Sequence, residues 1–309
     1  MKETPLFTVV IPHYNSPQLL ERCLASIPDT PDIQVVVVDD NSSSDIVDFD
    51  HFPGSLRTNT TIIYNKDNKG AGHARNLALP QAQGKWLIFA DADDYFEPNA
   101  FDVFNKHAND TADIIFFGSC CRFSDTNELS NRADYKNRLL QQFIQKGDET
   151  IRYQSFSPWS KMTRNSLVIE HDIHFDEVAY GNDVMFSART GLYARSISAD
   201  SSIVYCYTVT RGSLTMQRNV EILRHRYEGI LAFNQFLQQH GLAQYQISIG
   251  YYLRQACGYG IKTFIDFVKL GKKYNADFFV GASKWGKNML YVIRQSIFGD
   301  KKIKKYVVK

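Results

Sequence analysis

Several features of secreted, membrane-spanning or repetitive proteins are missing from this sequence. Its five cysteines form no CxxC pair and no framework, so we expect free thiols in a reducing compartment, with Cys120 and Cys121 buried beside an apolar run. The chain has no stretch of 18 apolar residues, no charged leader before an apolar segment, no internal repeat and no low-complexity tract. These absences predict a soluble, cytoplasmic globular protein without a signal peptide or transmembrane helix.

Net charge is also small, but it is unevenly distributed along the chain. The formal net charge is +2, whereas residues 260–309 carry 12 Lys or Arg and 3 Asp or Glu, a net +9 that leaves −7 for the remainder. This asymmetry indicates that the C-terminal region has an anionic neighbour.

What the sequence does contain is an alternation of apolar strands and amphipathic helices. Strands are predicted over residues 7–14, 33–40, 61–65, 85–91, 112–120 and 201–209, and helices over residues 16–27, 73–82, 98–109 and 137–146. The alternation predicts an α/β fold with a mainly parallel, doubly wound sheet. From residue 219 onward the pattern is helical, so we predict a catalytic domain over residues 1–218 and a helical, basic region over residues 219–309.

Four successive predicted strands end in polar, acidic or glycine-rich segments, "PHYN", "DDNSSSD", "NKDNKGAG" and "DADD". In doubly wound sheets, ligands bind beyond the carboxyl ends of the strands. These segments therefore mark one edge of the sheet as the candidate site.

Three carboxylates, those of Asp91, Asp93 and Asp94, directly follow a buried strand and must repel one another. Hard oxygen ligands in this position suit Mg²⁺ or Mn²⁺, which usually keep some waters and take further ligands from substrate phosphates. A solvated loop that only begins a helix remains the alternative interpretation.

Two further strand ends carry candidate groups for a nucleotide. Asp39 and Asp40 could accept hydrogen bonds from a base or ribose, although Asp and Asn also favour turns. Gly70 and Gly72 precede a helix that contains Arg75, an arrangement suited to a diphosphate. A nicotinamide dinucleotide site is disfavoured, because the third glycine position is Arg75 and this strand is not the first.

Later in the chain, Asp183 stands at the mouth of a predicted helix, where it is either a catalytic base or an N-cap. Arg211 and Ser213 follow the last strand, where they either contact a phosphate or lie in an ordinary surface loop.

Together these motifs resemble the family 2 glycosyltransferases, inverting enzymes with the GT-A fold. The matching segments run in order over residues 7–216 and read "TVVIPHYNSPQLLERCLASI", "VVVVDDNSSSD", "NKGAGHARNLAL", "GKWLIFADADDYFEP", "SPWSKMTRNSL", "YGNDVMF" and "TRGSLT". Their common order makes the resemblance specific, although it does not extend over the helical C-terminal region. It implies transfer of a sugar from a nucleotide-sugar, usually UDP-linked, to a glycan or lipid-linked acceptor in cell-surface polysaccharide synthesis.

The resemblance also implies roles for individual residues. The implied donor-binding residues are Pro12, Tyr14, Asp40, Asn68, Gly70, Arg75, Asp91, Ala92 and Asp93. Acceptor or phosphate contacts are implied for Trp159, Lys161, Asn182, Arg211 and Ser213. Asp91 and Asp93 are the implied ligands of Mg²⁺ or Mn²⁺, with Asp93 nearest the metal, and Asp183 is the implied catalytic base.

One position departs from the family pattern, because Asn182 stands where a glutamate usually precedes the catalytic aspartate. The base itself is retained, and Asp176 or Glu177 could replace the missing carboxylate. In the implied reaction, Asp183 deprotonates an acceptor hydroxyl that attacks the anomeric carbon opposite the leaving diphosphate, so an α-linked donor gives a β-linked product.

The basic C-terminal helices suggest an anionic membrane surface, because lysines alternate with aromatic residues. A helical subdomain or a homodimer contact is the alternative, and nucleic acid is not expected because no binding motif accompanies the charge. Two other functions stay open for the whole chain: a sugar-phosphate nucleotidyltransferase, whose glycine-rich first loop is absent, and a catalytically degenerate nucleotide-sugar-binding protein.

Overall fold

The computed structural model describes residues 4–209, 219–278 and 280. The chain divides into two compact units, residues 1–215 and 216–309. Arg211 and Ser213 lie outside the described residues, as does the basic segment beyond residue 280. Among the helices in the described ranges, none combines the length and apolar character that a membrane crossing requires.

The described part of the first unit contains eight strands and seven α-helices. The strands are β1 (Phe7–His13), β2 (Ile33–Asp40), β3 (Thr60–Asn65), β4 (Trp86–Phe89), β5 (Tyr95–Phe96), β6 (Ile114–Phe123), β7 (Lys161–Arg164) and β8 (Ile197–Val209). The helices are α1 (Pro17–Ala25), α2 (Ala71–Ala78), α3 (Ala100–Lys106), α4 (Asp134–Lys146), α5 (Thr150–Gln154), α6 (Asn165–Glu170) and α7 (Val184–Tyr193).

All eight strands of the described residues join one sheet in the order β3-β2-β1-β4-β7-β6-β8-β5. Strands β1 to β4 are mutually parallel where they pair, and β6 pairs in parallel with β8. The prediction of a mainly parallel α/β sheet is confirmed. Two antiparallel strands were not predicted, β7 between β4 and β6, and β5 against β8.

Successive residues of the central strands belong to two different cores, one on each face of the sheet. Val35 and Val37 pack into the core that includes α1 and α3, whereas Val36 and Val38 pack into the core that includes α2 and α7. This division follows from the two-residue period of a strand. Because both faces are covered, the strand sequences are continuously apolar rather than alternating.

At the end of β1 and the start of α1, two residues do not act as their residue types would favour, a proline that breaks a strand and a serine that caps a helix. Pro12 does not end β1, because the strand continues to His13 through its pairing with β2, beyond the last residue paired with β4. Ser16 occupies the N-cap position of α1 but makes no side-chain capping hydrogen bond. The helix is instead anchored by its apolar stripe, in which Leu20 and Cys23 are fully buried. All five cysteines are free, as expected, but only Cys121 of the adjacent pair is buried, because Cys120 keeps some exposed surface.

The described part of the second unit contains three α-helices, α8 (Val220–Gln239), α9 (Gly250–Gly258) and α10 (Ile261–Lys273). Its core is aromatic: Tyr227 is fully buried, and its ring stacks on Phe267 at 5.0 Å and on Tyr252 at 5.5 Å between centroids. Phe267, one of the C-terminal aromatic residues considered for contact with a membrane surface, therefore packs inside this unit. Tyr259, Phe264 and Phe278 are also described, whereas Phe279, Trp285, Tyr291 and Phe298 lie outside the described residues.

Candidate active site

The two carboxylates that end β2 lie on opposite faces of the sheet. Asp39 is almost fully buried, and it binds His13 Nδ1 at 2.8 Å and accepts from Ser42 N at 3.0 Å and Ser42 Oγ at 2.6 Å. Burial raises the pKa of Asp39, but the hydrogen bonds from His13 and Ser42 outweigh it and hold the pKa below its usual 3.8. Asp39 is therefore a structural anchor between the ends of β1 and β2.

Asp40 shapes the glycine-rich loop before α2. Its carboxylate accepts hydrogen bonds from Asn65 Nδ2 at 2.7 Å, Gly70 N at 2.6 Å and Lys69 N at 3.3 Å. Asn68 and Gly70 both adopt positive φ angles, 46° and 89°, which asparagine and glycine tolerate best. The loop is thus wrapped around the side chain of Asp40, and contact of Asp40 or Asn68 with a nucleotide stays a prediction.

The three carboxylates of the acidic turn after β4, those of Asp91, Asp93 and Asp94, differ in their surroundings. Asp94 is almost fully buried, and it accepts hydrogen bonds from Tyr205 Oη at 2.8 Å and Thr208 N at 2.7 Å. Tyr205 Oη also lies 2.9 Å from the backbone N–H of Asp91, which donates to it. Asp94 therefore ties the turn to β8 and leaves Asp91 and Asp93 as the carboxylates at the site.

The electrostatics of this turn match the repulsion expected from the sequence. Burial and the charge of Asp91 raise the pKa of Asp93 to about 6, although the residue keeps an exposed surface. Burial, Asp91 and Asp93 likewise raise the pKa of Asp94 well above 3.8. Negative charge in this turn is therefore only partly compensated by the protein, which favours a bound cation.

The donor set of Asp91 and Asp93 fits a hard divalent cation but does not complete a coordination shell. Within the described ranges, the grouping of three or more metal-capable side chains is elsewhere, at Glu97, Cys120 and Cys206. A Mg²⁺ or Mn²⁺ ion held by two carboxylates takes its other oxygens from water and substrate phosphates. Asp91 and Asp93 are therefore suited to an ion that binds together with a diphosphate.

Arg75 links the acidic turn to the segment that contains Asn182 and Asp183. Its guanidinium donates to Asp91 Oδ1 at 2.5 Å through Nη2 and to Asn182 Oδ1 at 2.9 Å through Nη1. The side chain is buried, and it lies 5.2 Å from the centroid of the Phe175 ring. Asn182 thus supplies a neutral acceptor to Arg75 at the position where the family resemblance leads us to expect a carboxylate.

Gly72 explains why helix α2 can approach this segment so closely. A Cβ at this position would lie 2.3 Å from the backbone oxygen of Asp176 and 3.0 Å from Asn182 Cβ. The second glycine of the motif therefore serves packing rather than a dinucleotide. The nearby carboxylates have other neighbours, because Asp176 accepts from Arg189 at 3.3 Å and Glu177 accepts from Asn76 at 3.3 Å.

Asp183 occupies the N-cap position of α7 but makes no capping hydrogen bond through its side chain. The N-cap interpretation therefore does not account for this carboxylate. Burial and Asp91 raise the pKa of Asp183, against the lowering effect of Arg75 and Lys161. A carboxylate with a raised pKa is a better proton acceptor, as a general base requires.

Lys161 is an interior residue that holds helix α7 in place. Its Nζ donates to the backbone oxygen of Ser155 and to Ser187 Oγ at 3.3 Å, one turn beyond Asp183. Burial lowers the pKa of Lys161 to about 7, in spite of the opposing charge of Asp183. In the described structure Lys161 positions the helix of the candidate base, and contact with substrate stays a prediction.

Trp159 forms an aromatic wall beside the acidic turn. Its ring centroid lies 5.0 Å from that of Tyr205 and 4.8 Å from that of Tyr207. Lys136 Nζ lies 3.3 Å from the centroid of Trp159. The sequence pattern did not single out Lys136, because the predicted helix began at residue 137 and the observed α4 begins three residues earlier, at Asp134, without a side-chain cap.

The remaining predicted residues occupy the same edge of the sheet. Pro12 is buried near the end of β1, Tyr14 directly after β1 is 50% exposed, and Ala92 is buried between Asp91 and Asp93. Their contacts with a donor stay predictions.

Comparison with known proteins identifies relatives over most of the chain. The sequence model of the family described as Glycosyl transferase family 2 matches residues 8–171. EpsH of Bacillus subtilis (strain 168), which bears a glycosyltransferase name, is 25% identical over 70% of this chain and 64% of its own length. The poly(ribitol-phosphate) beta-N-acetylglucosaminyltransferase TarS of Staphylococcus aureus (strain Mu50) is 28% identical over 66% of this chain and 36% of its own length. The chain thus spans less than two thirds of either relative.

Solved structures share the fold at low identity. TarS residues 1–349 from S. aureus, in complex with UDP-GlcNAc, match with a TM-score of 0.58 and 20% identity, over 87% of this chain and 91% of that chain. The mannosyltransferase PcManGT from Pyrobaculum calidifontis, in complex with GDP-Man and Mn²⁺, matches with a TM-score of 0.56 and 16% identity, over 96% of this chain and 87% of that chain. These likenesses confirm the predicted GT-A fold.

Proposed function

The chain belongs to glycosyl transferase family 2, and from this membership we propose that it transfers a sugar from a UDP-linked donor to a hydroxyl of a glycan or lipid-linked acceptor. The observation that carries the proposal is the bridge made by Arg75, which joins Asp91 of the acidic turn to Asn182, the neighbour of Asp183. Arg75 thereby connects the segment of Asp183, a carboxylate with a raised pKa, to a turn that is suited to a metal ion bound together with a diphosphate.

The reaction proposed for this geometry is a single displacement with inversion. Asp183 accepts the proton of the acceptor hydroxyl while the oxygen forms a bond to the anomeric carbon. The bond from that carbon to the diphosphate oxygen breaks, and its electron pair leaves with the nucleoside diphosphate. Asp91 and Asp93 would hold Mg²⁺ or Mn²⁺, and the bound ion would supply Lewis-acid stabilisation of the charge that develops on the leaving diphosphate.

The names of relatives support the donor and the biological setting. TarS is named for transfer of N-acetylglucosamine to poly(ribitol-phosphate) and has been crystallised with UDP-GlcNAc. By analogy, we favour a UDP-sugar and a cell-surface polysaccharide.

The test is turnover of a panel of UDP-sugars with Mn²⁺, comparing the protein with an Asp183→Asn variant. Loss of the base is expected to lower turnover by about 10²–10⁴-fold while UDP binding is kept. An unchanged rate in Asp183→Asn would remove this residue as the base. UDP binding without turnover of any donor would instead favour a degenerate binding protein. The anomeric configuration of the product, measured by NMR, tests inversion separately.

We further propose that the enzyme works on the cytoplasmic face of the plasma membrane, held there by its basic C-terminal region. The lysines of α10 at positions 262, 269, 272 and 273 are exposed, whereas Phe267 of the same helix is buried. The exposed lysines support electrostatic attraction to anionic lipid. Cosedimentation with anionic but not neutral vesicles is expected, and equal binding to both would exclude it. Light scattering tests the homodimer alternative.

A further inference from the structure

Helix α4 places one cationic group in a position that the proposed reaction does not yet use. Lys136 is a partly exposed residue, but its Nζ atom is buried and, among the described residues, has no hydrogen-bond partner. Within the part of the chain that the structure describes, that atom lies against the face of Trp159, 3.3 Å from the ring centroid. A buried ammonium without an acceptor is unusual, because each lost hydrogen bond is destabilising.

Contacts place this amine beside the candidate site. Trp159 stacks on Tyr205, and Tyr205 Oη bonds both Asp94 and the backbone of Asp91. Asp183, Asp91 and Asp94 are also close enough to act on the charge of Lys136. The amine thus lies within electrostatic range of both the candidate base and the acidic turn.

Lys161 provides an internal comparison for this amine. It is also buried near Asp183, but its Nζ donates to the backbone oxygen of Ser155 and to Ser187 Oγ, so its role is accounted for by the protein. Among the described residues, none accepts a hydrogen bond from Lys136 Nζ in the same way. The contrast indicates that the acceptors of Lys136 come from a ligand.

We propose that Lys136, held on the face of Trp159, forms a subsite for a phosphoryl group of a substrate beside Asp183. An ammonium offers three donors, and a phosphoryl group offers several charged acceptors. Burial and the neighbouring Lys161 lower the pKa of Lys136, and an anion bound there would restore the charged form. The proposal rests on the glycosyltransferase function, and the phosphoryl group belongs either to the donor diphosphate or to a phosphate-bearing acceptor.

The experiment compares Lys136→Met with Lys146→Met, a matched change at an exposed lysine of the same helix. Isothermal titration calorimetry in the presence of Mn²⁺ first measures the affinity of each protein for UDP and for uridine. It then measures the affinity of the UDP-saturated protein for sn-glycerol 3-phosphate and for glycerol. Loss of a charged hydrogen bond is expected to weaken binding by about 10- to 100-fold.

The two sources of the phosphoryl group give different results. If Lys136 contacts the donor, Lys136→Met binds UDP more weakly and binds uridine with unchanged affinity. If Lys136 contacts the acceptor, Lys136→Met binds UDP with unchanged affinity and binds sn-glycerol 3-phosphate more weakly relative to glycerol. In either case Lys136→Arg is expected to recover most of the affinity, which a purely structural role on Trp159 would not require.

Equal affinities of Lys136→Met and the unmodified protein for both phosphate probes would overturn the subsite. Thermal melting checks that each variant folds, and Lys136→Gln replaces Lys136→Met if the latter does not. Failure of the proposed function looks different, because then the unmodified protein itself would turn over no donor, whether or not it binds UDP with Mn²⁺.

Discussion

The ends of β2 and β4 both carry adjacent aspartates, but the protein treats the two pairs differently. After β2, Asp39 and Asp40 accept hydrogen bonds from groups of the protein, and His13 and Ser42 hold the pKa of Asp39 below 3.8. After β4, burial and mutual repulsion raise the pKa values of Asp93 and Asp94. The comparison indicates that hydrogen bonds from the protein stabilise the charge of Asp39 after β2, whereas the negative charge after β4 is compensated only in part, which makes the turn after β4 the better candidate for a cation site.

The largest effect is expected from Asp93→Asn, which removes a carboxylate from the uncompensated turn. Thermal stabilisation by UDP should then no longer depend on Mn²⁺, and turnover should fall by ~100-fold or more, since metal stabilisation of a leaving group is worth several kcal/mol. Melting curves with UDP, with and without Mn²⁺ or EDTA, measure the first effect.

The matched control for this change is Asp45→Asn, an exposed aspartate in the loop after β2. It should behave as the unmodified protein. Equal Mn²⁺ dependence in Asp93→Asn would show that the turn after β4 does not hold the ion.

The next largest effect is expected on the free energy of unfolding and concerns Asp39 and Asp40, the pair whose carboxylates accept hydrogen bonds from the protein. Asp39→Asn should lower the free energy of unfolding by about 1.5–3 kcal/mol, because charged hydrogen bonds to His13 and Ser42 are lost in the interior. Urea denaturation measures it, and Asp45→Asn should stay within about 0.5 kcal/mol of the unmodified protein. A change as small as that of the control would place Asp39 outside the structural network.

Acid should reduce the difference in the free energy of unfolding between the unmodified protein and Asp39→Asn. Because the pKa of Asp39 in the folded state lies below 3.8, its charged form adds stability above that pH, and the contribution disappears as pH falls through the folded value. Asp39→Asn has no such contribution to lose. Urea denaturation from about pH 7 to about pH 2 should therefore show the two stabilities converging, and a gap that widens in acid would contradict the assignment.

The smallest effect is expected from Asp94→Asn, the buried carboxylate of the β4 turn. Asparagine keeps an oxygen for the Thr208 N–H and removes a negative charge from beside Asp91 and Asp93. Without metal, the free energy of unfolding should change by less than about 1 kcal/mol. A loss as large as that of Asp39→Asn would mean that the two strand ends do not differ in the way described.

Much of this comparison follows from the sequence by strand periodicity. Val35 and Val37 face one core and Val36 and Val38 the other, so Asp39 and Asp40 must diverge. The predictions of β1 and β2 agreed with the structure to within a residue, because continuous β-branched runs leave little choice. The resemblance to the family assigned Asp183 as the base, and the absent side-chain cap supports that assignment.

What could not be predicted depends on contacts between distant segments. Strand β7 is only four residues long and reads "KMTR", which carries no strand signal of its own. The separate role of Asp94 depends on Tyr205 and Thr208, and the unpartnered Nζ of Lys136 depends on Trp159. None of these pairings has a local pattern.

The bonds that assemble the site also determine when it can exist during folding. Arg75 and Asn182 are 107 positions apart, and Asp91 and Asp94 reach Tyr205 and Thr208 across 114 positions. Contacts of such long separation form late, since the chain between them must first be ordered. A growing chain can therefore form β1 to β4 well before the candidate site is assembled, and its assembly is completed only once β8 has joined the sheet.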